Sequence, residues 1–199
     1  MLKRTFDIVS SFFGLVILFP VLLVIALWIK LSSTGPILFC QTRVGLNGQN
    51  FSIFKFRTMV VDAEKLGLKV TVGKDPRITT CGHFLRRYKL DELPQLVNVL
   101  LGTMSVVGPR PEVPEYMNEY PDEVRHKILS VRPGITDKAS IEFTNESEIL
   151  ATSKDPRASY INEIMPTKAK YYIEYIDNYS FSMDISIVFQ TINKIIQRR

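Results

Sequence analysis

The chain holds 199 residues, 46% of them hydrophobic, and its 25 Lys and Arg outweigh 20 Asp and Glu for a formal charge of +5. That length supports one compact domain with attachments and excludes two ordinary domains. Two cysteines, Cys40 and Cys81, are too few for a disulfide framework and lack zinc-site spacing, so they read as small hydrophobes in a reduced, cytosol-facing setting.

The charge is uneven: residues 1–30 sum to +2, residues 31–110 to +6 and residues 111–199 to −3. A basic middle beside an apolar N-terminal segment suits lipid headgroups, phosphorylated substrates or nucleic acid, and charge alone does not choose among them. No nucleic-acid-binding motif accompanies the charge, so nucleic acid is not expected as a partner.

From Ile8 to Ile29 no charged residue occurs over 22 positions, which as a helix would reach about 33 Å, one hydrocarbon thickness. No small-residue cleavage site follows, so the segment should stay attached. Pro20 near its middle should kink or break the helix. Basic residues flank both ends, Lys3 and Arg4 before it and Lys30 after it, and pull both ends toward the cytosol. A bent, re-entrant helix over residues 1–34 satisfies both features, with Trp28 and Lys30 at an interfacial rim. A plain spanning helix is the alternative.

Gly35-Pro36 marks a turn, and ILFCQTRVGLNGQNFSIFKFRTM reads as a β-hairpin around Asn47-Gly48. Lys55 and Arg57, among Phe51, Ile53, Phe54 and Phe56, suggest a strand whose end delivers cations to a site; a solvated strand face is the competing reading. Asp62 to Leu68 reads as a short helix and Gly73 to Arg77 as a loop. Gly67 to Lys74 departs from a phosphate-binding loop in spacing and in Asp75 after the Lys, and there is no G-x-G-x-x-G and no Asp-x-Asp pair. Near the end, Ile185, Val188, Phe189, Ile192, Ile195 and Ile196 recur at helical spacing between Asp184 and Lys194, Arg198 and Arg199. This amphipathic helix either closes the core or lies in the headgroup layer.

The run HFLRRYKLDELPQLVNVLLGTMSVVGPRPE, residues 83–112, carries the chemistry. Asp91 is placed to cap a helix containing Leu93, Leu96, Val97 and Leu100, with Pro94 tolerated in the first turn. Asp91 and Glu92 would then stand at a helix N-terminus, where the dipole keeps Asp91 ionised and favours phosphate oxygens. Arg86, Arg87 and Lys89 precede the pair and Arg110 follows a Gly-Pro turn, a set suited to phosphoryl transfer in which a carboxylate attacks or binds Mg²⁺. On residues alone, caps, solvated faces and a stiff turn explain the same pattern. His83 and His126 have no partner pattern and read as ordinary histidines.

Taken together, the Pro20-interrupted apolar segment, QTRVGLNG, FKFRTM, RRYKLDELPQLVNVLLGTMSVVGPRPE, VRPGIT and NYSFSMDISIVFQTI closely resemble the small monotopic polyprenyl-phosphate phosphoglycosyl transferases, bacterial sugar transferases. The resemblance implies that Asp91-Glu92 is a catalytic, Mg²⁺-dependent dyad with Asp91 carrying a covalent phosphosugar. It also implies that Arg86, Arg110 and Asp184 are functional positions and that the membrane helix is re-entrant. The implied reaction takes a UDP-sugar and undecaprenyl phosphate to polyprenyl diphosphosugar and UMP, as the first membrane step of glycoconjugate assembly (O-antigen, capsule, exopolysaccharide or glycoprotein). Asp137-Lys138, Tyr172 and Thr103 depart from the family pattern and bear on sugar and acceptor selectivity.

The expected architecture is therefore helix-rich α/β: a re-entrant membrane helix over residues 1–34 and a cytosolic-face catalytic domain over residues 35–199, with a small hairpin, catalytic helices and a C-terminal amphipathic helix. The expected location is the bacterial inner membrane. Asp91 and Glu92 are the expected catalytic and Mg²⁺-binding residues; Lys55, Arg57, Arg86, Arg110 and Asp184 are the expected substrate-binding ones. UDP-sugar, polyprenyl phosphate and membrane lipids are the expected partners, and a homo-oligomer is left open. The rivals are a direct glycosyltransferase, which would release UDP, and a non-catalytic membrane scaffold, which would release no nucleotide.

Overall fold

A computed structural model describes residues 1–67, 70–143 and 146–197. Helix α1 (Leu2–Ser32) leads into a hairpin of β1 (Leu38–Val44) and β2 (Asn50–Phe56), then α2 (Thr80–Arg87), α3 (Gln95–Leu101) and β3 (Ser105–Val107). After α4 (Pro114–Met117), α5 (Asp122–Leu129) and β4 (Gly134–Thr136) come α6 (Lys138–Glu142), α7 (Glu146–Ala151), α8 (Pro156–Ser159), α9 (Met165–Asp177) and α10 (Phe181–Gln197). The result is helix-rich α/β.

Helix α1 is one element of 31 residues with Pro20 inside it, so the break expected at Pro20 is absent. Pro20 removes one backbone donor, and the helix-forming apolar residues on either side carry the helix on. It is the one described helix long and apolar enough to cross a membrane by length and composition. Its buried residues, Asp7, Ser11, Ile25 and Ile29, fall on one face, while Phe12, Phe13, Val16, Ile17, Leu23, Val24 and Leu27 are exposed on the rest.

Both ends of α1 pack on the catalytic unit. At the start, the Lys3 ammonium donates to the Val107 carbonyl at 2.9 Å and to Asp184 Oδ2 at 2.8 Å. The Arg4 guanidinium donates to the Val99 and Leu100 carbonyls, capping the negative end of α3. Asp7 Oδ1 accepts from the Ser105 hydroxyl and the Val106 amide, both at 3.0 Å. At the far end, Ile25 and Ile29 join Phe56, Cys81 and Leu85 in one apolar cluster.

The hairpin forms as expected, with Leu38 opposite Phe56 and Val44 opposite Asn50, turning through Asn47 and Gly48 at positive φ. Asn98 joins it to α3: its Oδ1 accepts from the Phe54 amide at 2.9 Å and its Nδ2 donates to the Ser52 carbonyl at 2.8 Å. Asn98 is 1% exposed. Asn98→Ala should therefore leave buried backbone groups unpaired and cost about 1–3 kcal/mol, read as a lower melting temperature in detergent; an unchanged melting point would show that the bridge is dispensable.

A second, parallel ladder pairs β3 with β4, Ser105 opposite Gly134 and Val107 opposite Thr136. A Cβ on Gly134 would lie 2.1 Å from the Gly108 nitrogen, so this close approach admits only glycine. The largest core cluster joins Val113, Tyr116, Met117 and Ile128 to Tyr160, Met165 and Tyr172.

In α10, Asp184 and Ile187 are buried, but Phe189, Ile192 and Ile196 are exposed. The helix thus closes only part of the core, and Arg198 and Arg199 lie outside the described residues. The helix expected over residues 62–68 is a single 3₁₀ turn at Ala63–Lys65, and Leu68 lies outside the described residues, as do Thr144 and Asn145 of the departing stretch.

Candidate active site

Asp91 and Glu92 occupy a 3₁₀ turn, Leu90–Glu92, ahead of α3. Asp91 is therefore not the helix cap; Pro94 stands at that position. The turn is entered through Lys89 at φ 57°, a left-handed conformation that costs a non-glycine residue about 1 kcal/mol. The strain directs the pair inward, and both carboxylates are buried.

Their environments differ. Glu92 Oε1 accepts from the Lys55 ammonium at 2.9 Å and from the Arg110 guanidinium at 2.6 Å. Burial alone would push the Glu92 carboxyl up, but Arg110 and Lys55 outweigh it and hold Glu92 well below the usual carboxylate range. Burial brings the Lys55 ammonium down to about 8 against the pull of Glu92, and Arg110 is held well above its ordinary value by Glu92. Asp91 goes the other way: burial first, then the Glu92 charge, raises its carboxyl. Its Oδ1 is buried and has no hydrogen-bond donor among the described residues.

Distant elements deliver these cations. Lys55 and Arg43 share a hairpin face, since Phe39 pairs with Lys55 and Arg43 with Phe51. The Arg43 guanidinium donates to the Pro111 carbonyl at 2.9 Å, and the Val44 amide to the Glu112 carbonyl at 3.0 Å. These bonds stitch the Gly-Pro-Arg-Pro turn to the hairpin. The parallel ladder holds its other side, with the Gly108 amide donating to the Thr136 carbonyl at 3.1 Å and the Gly134 amide to the Pro109 carbonyl at 2.9 Å. The two sequence motifs GPR and RPGIT are thus partners.

Arg86, in the last turn of α2, donates to the Thr58 and Thr71 hydroxyls, each at 2.8 Å. Helix α2 meets the chain at Thr58 because Gly82 has no side chain: a Cβ there would lie 2.1 Å from the Thr58 carbonyl oxygen. Arg86, Lys55, Arg57, Arg77 and Asp91 line a cavity of about 350 Å³. A second cavity, of about 160 Å³, lies on the Glu92 side and includes Lys89 and Arg110.

Asp91, Glu92, Lys55, Arg86 and Arg110 are thus gathered around two adjoining cavities. Arg57 lines the larger one, but its guanidinium donates to the Thr34 carbonyl and, at 3.0 Å, to the Ser33 carbonyl, tying the end of α1 to the hairpin. Asp184 stands apart. It lines neither cavity, is fully buried, and is held by Lys3 and by the Tyr175 hydroxyl at 2.7 Å. Sequence reasoning passed over Arg43 and took Lys89 only as one of the basic residues that precede the pair. The hairpin register offered a signal for Arg43, whereas the backbone kink at Lys89 is invisible in a run of basic residues.

Of the departing positions, Asp137 caps α6 by accepting from the Ser140 amide at 2.9 Å. Tyr172 is buried and its hydroxyl has no partner among the described residues. Thr103 accepts from and donates to Asn98, at 3.4 and 3.1 Å.

No group of three or more His, Cys, Asp or Glu occurs among the described residues. The adjacent carboxylates of Asp91 and Glu92, with Asp91 Oδ1 unengaged, suit a hard cation that takes its remaining ligands from phosphate oxygens and water.

The model of the bacterial sugar transferase family matches residues 1–198. The chain is 42% identical over 198 residues to a UDP-glucose:undecaprenyl-phosphate glucose-1-phosphate transferase of Escherichia coli K12, covering 98% of this chain and 40% of that protein. It is 41% identical over 210 residues to the exopolysaccharide production protein PSS of Rhizobium leguminosarum bv. phaseoli, covering 96% of this chain and 93% of that protein. An N-acetylgalactosaminephosphotransferase of Aeromonas hydrophila, acting on a UDP-sugar and undecaprenyl phosphate by its name, is 35% identical over 98% of this chain and 44% of its own length. The chain therefore spans less than half of two of these three relatives. With the match running from the membrane-type helix through the carboxylate pair to α10, this chain belongs to the bacterial sugar transferase family.

Proposed function

We propose that this protein transfers a phosphosugar from a UDP-sugar to undecaprenyl phosphate through a covalent intermediate on Asp91, releasing UMP, at the start of the membrane assembly of a glycoconjugate. The observation that carries the reading is the division of labour in the dyad. Glu92 is engaged by two cations, whereas Asp91 lines a cation-lined cavity and its buried Oδ1 has no donor among the described residues. A partly desolvated carboxylate is a better nucleophile than one neutralised by guanidinium.

In the first step an Asp91 oxygen attacks the sugar-bearing phosphorus, and the bond from that phosphorus to the bridging oxygen breaks, with the electron pair leaving on UMP. In the second, an oxygen of the lipid phosphate attacks the same phosphorus, and the Asp91–phosphorus bond breaks to restore the carboxylate. Arg86 and Arg110 neutralise charge spreading over the phosphate oxygens, and Glu92 keeps Arg110 and Lys55 in position. Mg²⁺ bound at Asp91 and Glu92 would supply further neutralisation of phosphate charge.

Purified protein should release UMP from a panel of UDP-sugars when undecaprenyl phosphate is added. Release of UDP would favour direct glycosyl transfer, and no nucleotide release with any sugar would leave a scaffold. Arg86→Lys and Arg110→Lys should each lower kcat/KM at least tenfold, about 1.4 kcal/mol, because an ammonium cannot reproduce a paired guanidinium contact. Near-normal rates in both would remove the arginines from phosphate binding.

We further propose that both ends of α1 lie on the cytosolic side of the inner membrane. Lys3 and Ile29, near opposite ends of a helix about 46 Å long, pack against the same catalytic unit, which a helix crossing the bilayer could not do with that unit on one side. In a background lacking Cys40, Leu2→Cys and Ser33→Cys should both resist an impermeant thiol reagent applied to intact cells. Labelling of one position only would require a crossing helix.

A further inference from the structure

The cavity on the Glu92 side has a different chemistry from its neighbour. Leu93 just before α3, Leu96 within it, Ile135 of β4, Ile141 of α6 and Ile195 of α10 supply its apolar wall. Its hydroxyls are already committed: Thr136 and Thr191 bond each other at 2.6 Å, and the Ser140 hydroxyl donates to Asp137 at 2.5 Å. A nucleobase or sugar would find no free hydroxyl donor here. The charged residues of the wall are Lys89, Arg110 and Lys194 with Glu92, and the side-chain ammonium of neither Lys89 nor Lys194 makes a hydrogen bond or ion pair among the described residues. Three cations against one carboxylate beside a hydrocarbon wall fit an anionic headgroup on an apolar tail. The cavity also adjoins an apolar surface. Ile192 and Ile196, exposed on α10, flank Ile195, and Leu96 approaches α1 at Gly14.

Displacement at phosphorus adds a constraint. If Asp91 expels UMP in line, the second nucleophile must arrive opposite Asp91, where the UMP phosphate stood. The two phosphates then share one position, and their appendages need separate places.

We propose that this cavity seats the first isoprene units of the polyprenyl phosphate, whose headgroup reaches Arg110 and Lys89, while the nucleotide occupies the larger arginine-lined cavity. The assignment rests on the phosphosugar-transfer reading above. Full-length protein in detergent, titrated with farnesyl phosphate, tests it. Ile195→Trp, which fills the cavity, and Lys194→Glu, which reverses a wall charge with little change in bulk, should each weaken farnesyl phosphate binding at least tenfold. Both should keep the burst of UMP released from UDP-sugar without lipid. Lys194→Glu should bind uncharged farnesol as wild type does, which covers the case in which tryptophan disturbs α10. Val61→Trp, in the larger cavity, should spare farnesyl phosphate. If wild-type protein makes UMP but both α10 variants bind farnesyl phosphate normally, or only Val61→Trp loses it, the cavity assignment falls and the reaction stands. If wild type makes no UMP with any UDP-sugar and undecaprenyl phosphate, the reaction falls and takes the assignment with it.

Discussion

Asp91→Asn should abolish the lipid-independent burst of UMP and the phosphosugar mass on the Asp91 peptide, lowering turnover by at least a thousandfold, about 4 kcal/mol. The same change should leave the melting temperature equal or slightly raised. Asp91 is buried, and burial together with Glu92 raises its carboxyl, so its ionised form is a cost to the fold that an amide removes. Glu92→Gln should differ on both counts. It weakens the anchor of Lys55 and Arg110, and should lose stability while retaining slow adduct formation. If UMP appears only with lipid phosphate present and no adduct is trapped at low temperature, the lipid phosphate attacks directly and Asp91 has an orienting role.

The second large effect is expected at Asp184. It is fully buried between the Lys3 ammonium and the Tyr175 hydroxyl, so Asp184→Ala takes the carboxylate from both and leaves them the Val107 carbonyl to share. A cost of about 2–3 kcal/mol is expected, the low end for a buried pair, because the Lys3 side chain keeps 28% exposure. The double change Lys3→Met, Asp184→Leu should recover part of it. Chemical denaturation in detergent measures both, and KM for the UDP-sugar should be unchanged in the folded fraction. A raised KM with unaltered stability would return Asp184 to a substrate-contacting role.

These two residues show what the sequence made legible. The hairpin around Asn47-Gly48 and the nearness of the carboxylate pair to Arg86 and Arg110 could be read because each sits in a local pattern carried by its neighbours. The ion pair of Asp184 could not, because its partner Lys3 lies 181 positions away. The same distance hid what else Lys3 and Arg4 do: read as charges flanking the membrane segment, they spend their donors on Asp184 and on the carbonyl end of α3. The ladder of β3 with β4 was missed because three-residue strands give no alternation to detect. Asp91 was misread as a helix cap because the left-handed step at Lys89 depends on tertiary packing, and of the kink or break expected at Pro20 the break does not occur, because one lost backbone bond does not outweigh the rest of the helix.

The pairing of Lys3, Arg4 and Asp7 of α1 with the catalytic unit has a consequence for modularity. A membrane anchor is ordinarily interchangeable, since any apolar helix of sufficient length holds its cargo at the bilayer. Here the helix supplies polar partners to β3, α3 and α10 at one end and apolar filling to the hairpin and α2 at the other. Removing it would strip the catalytic unit of part of its interior, and a generic anchor grafted in its place would restore the address without restoring the fold. Association with the lipid phase is therefore built into the folding unit itself, and engineering a water-soluble version would require redesigning the outward face of α1 rather than cutting it away.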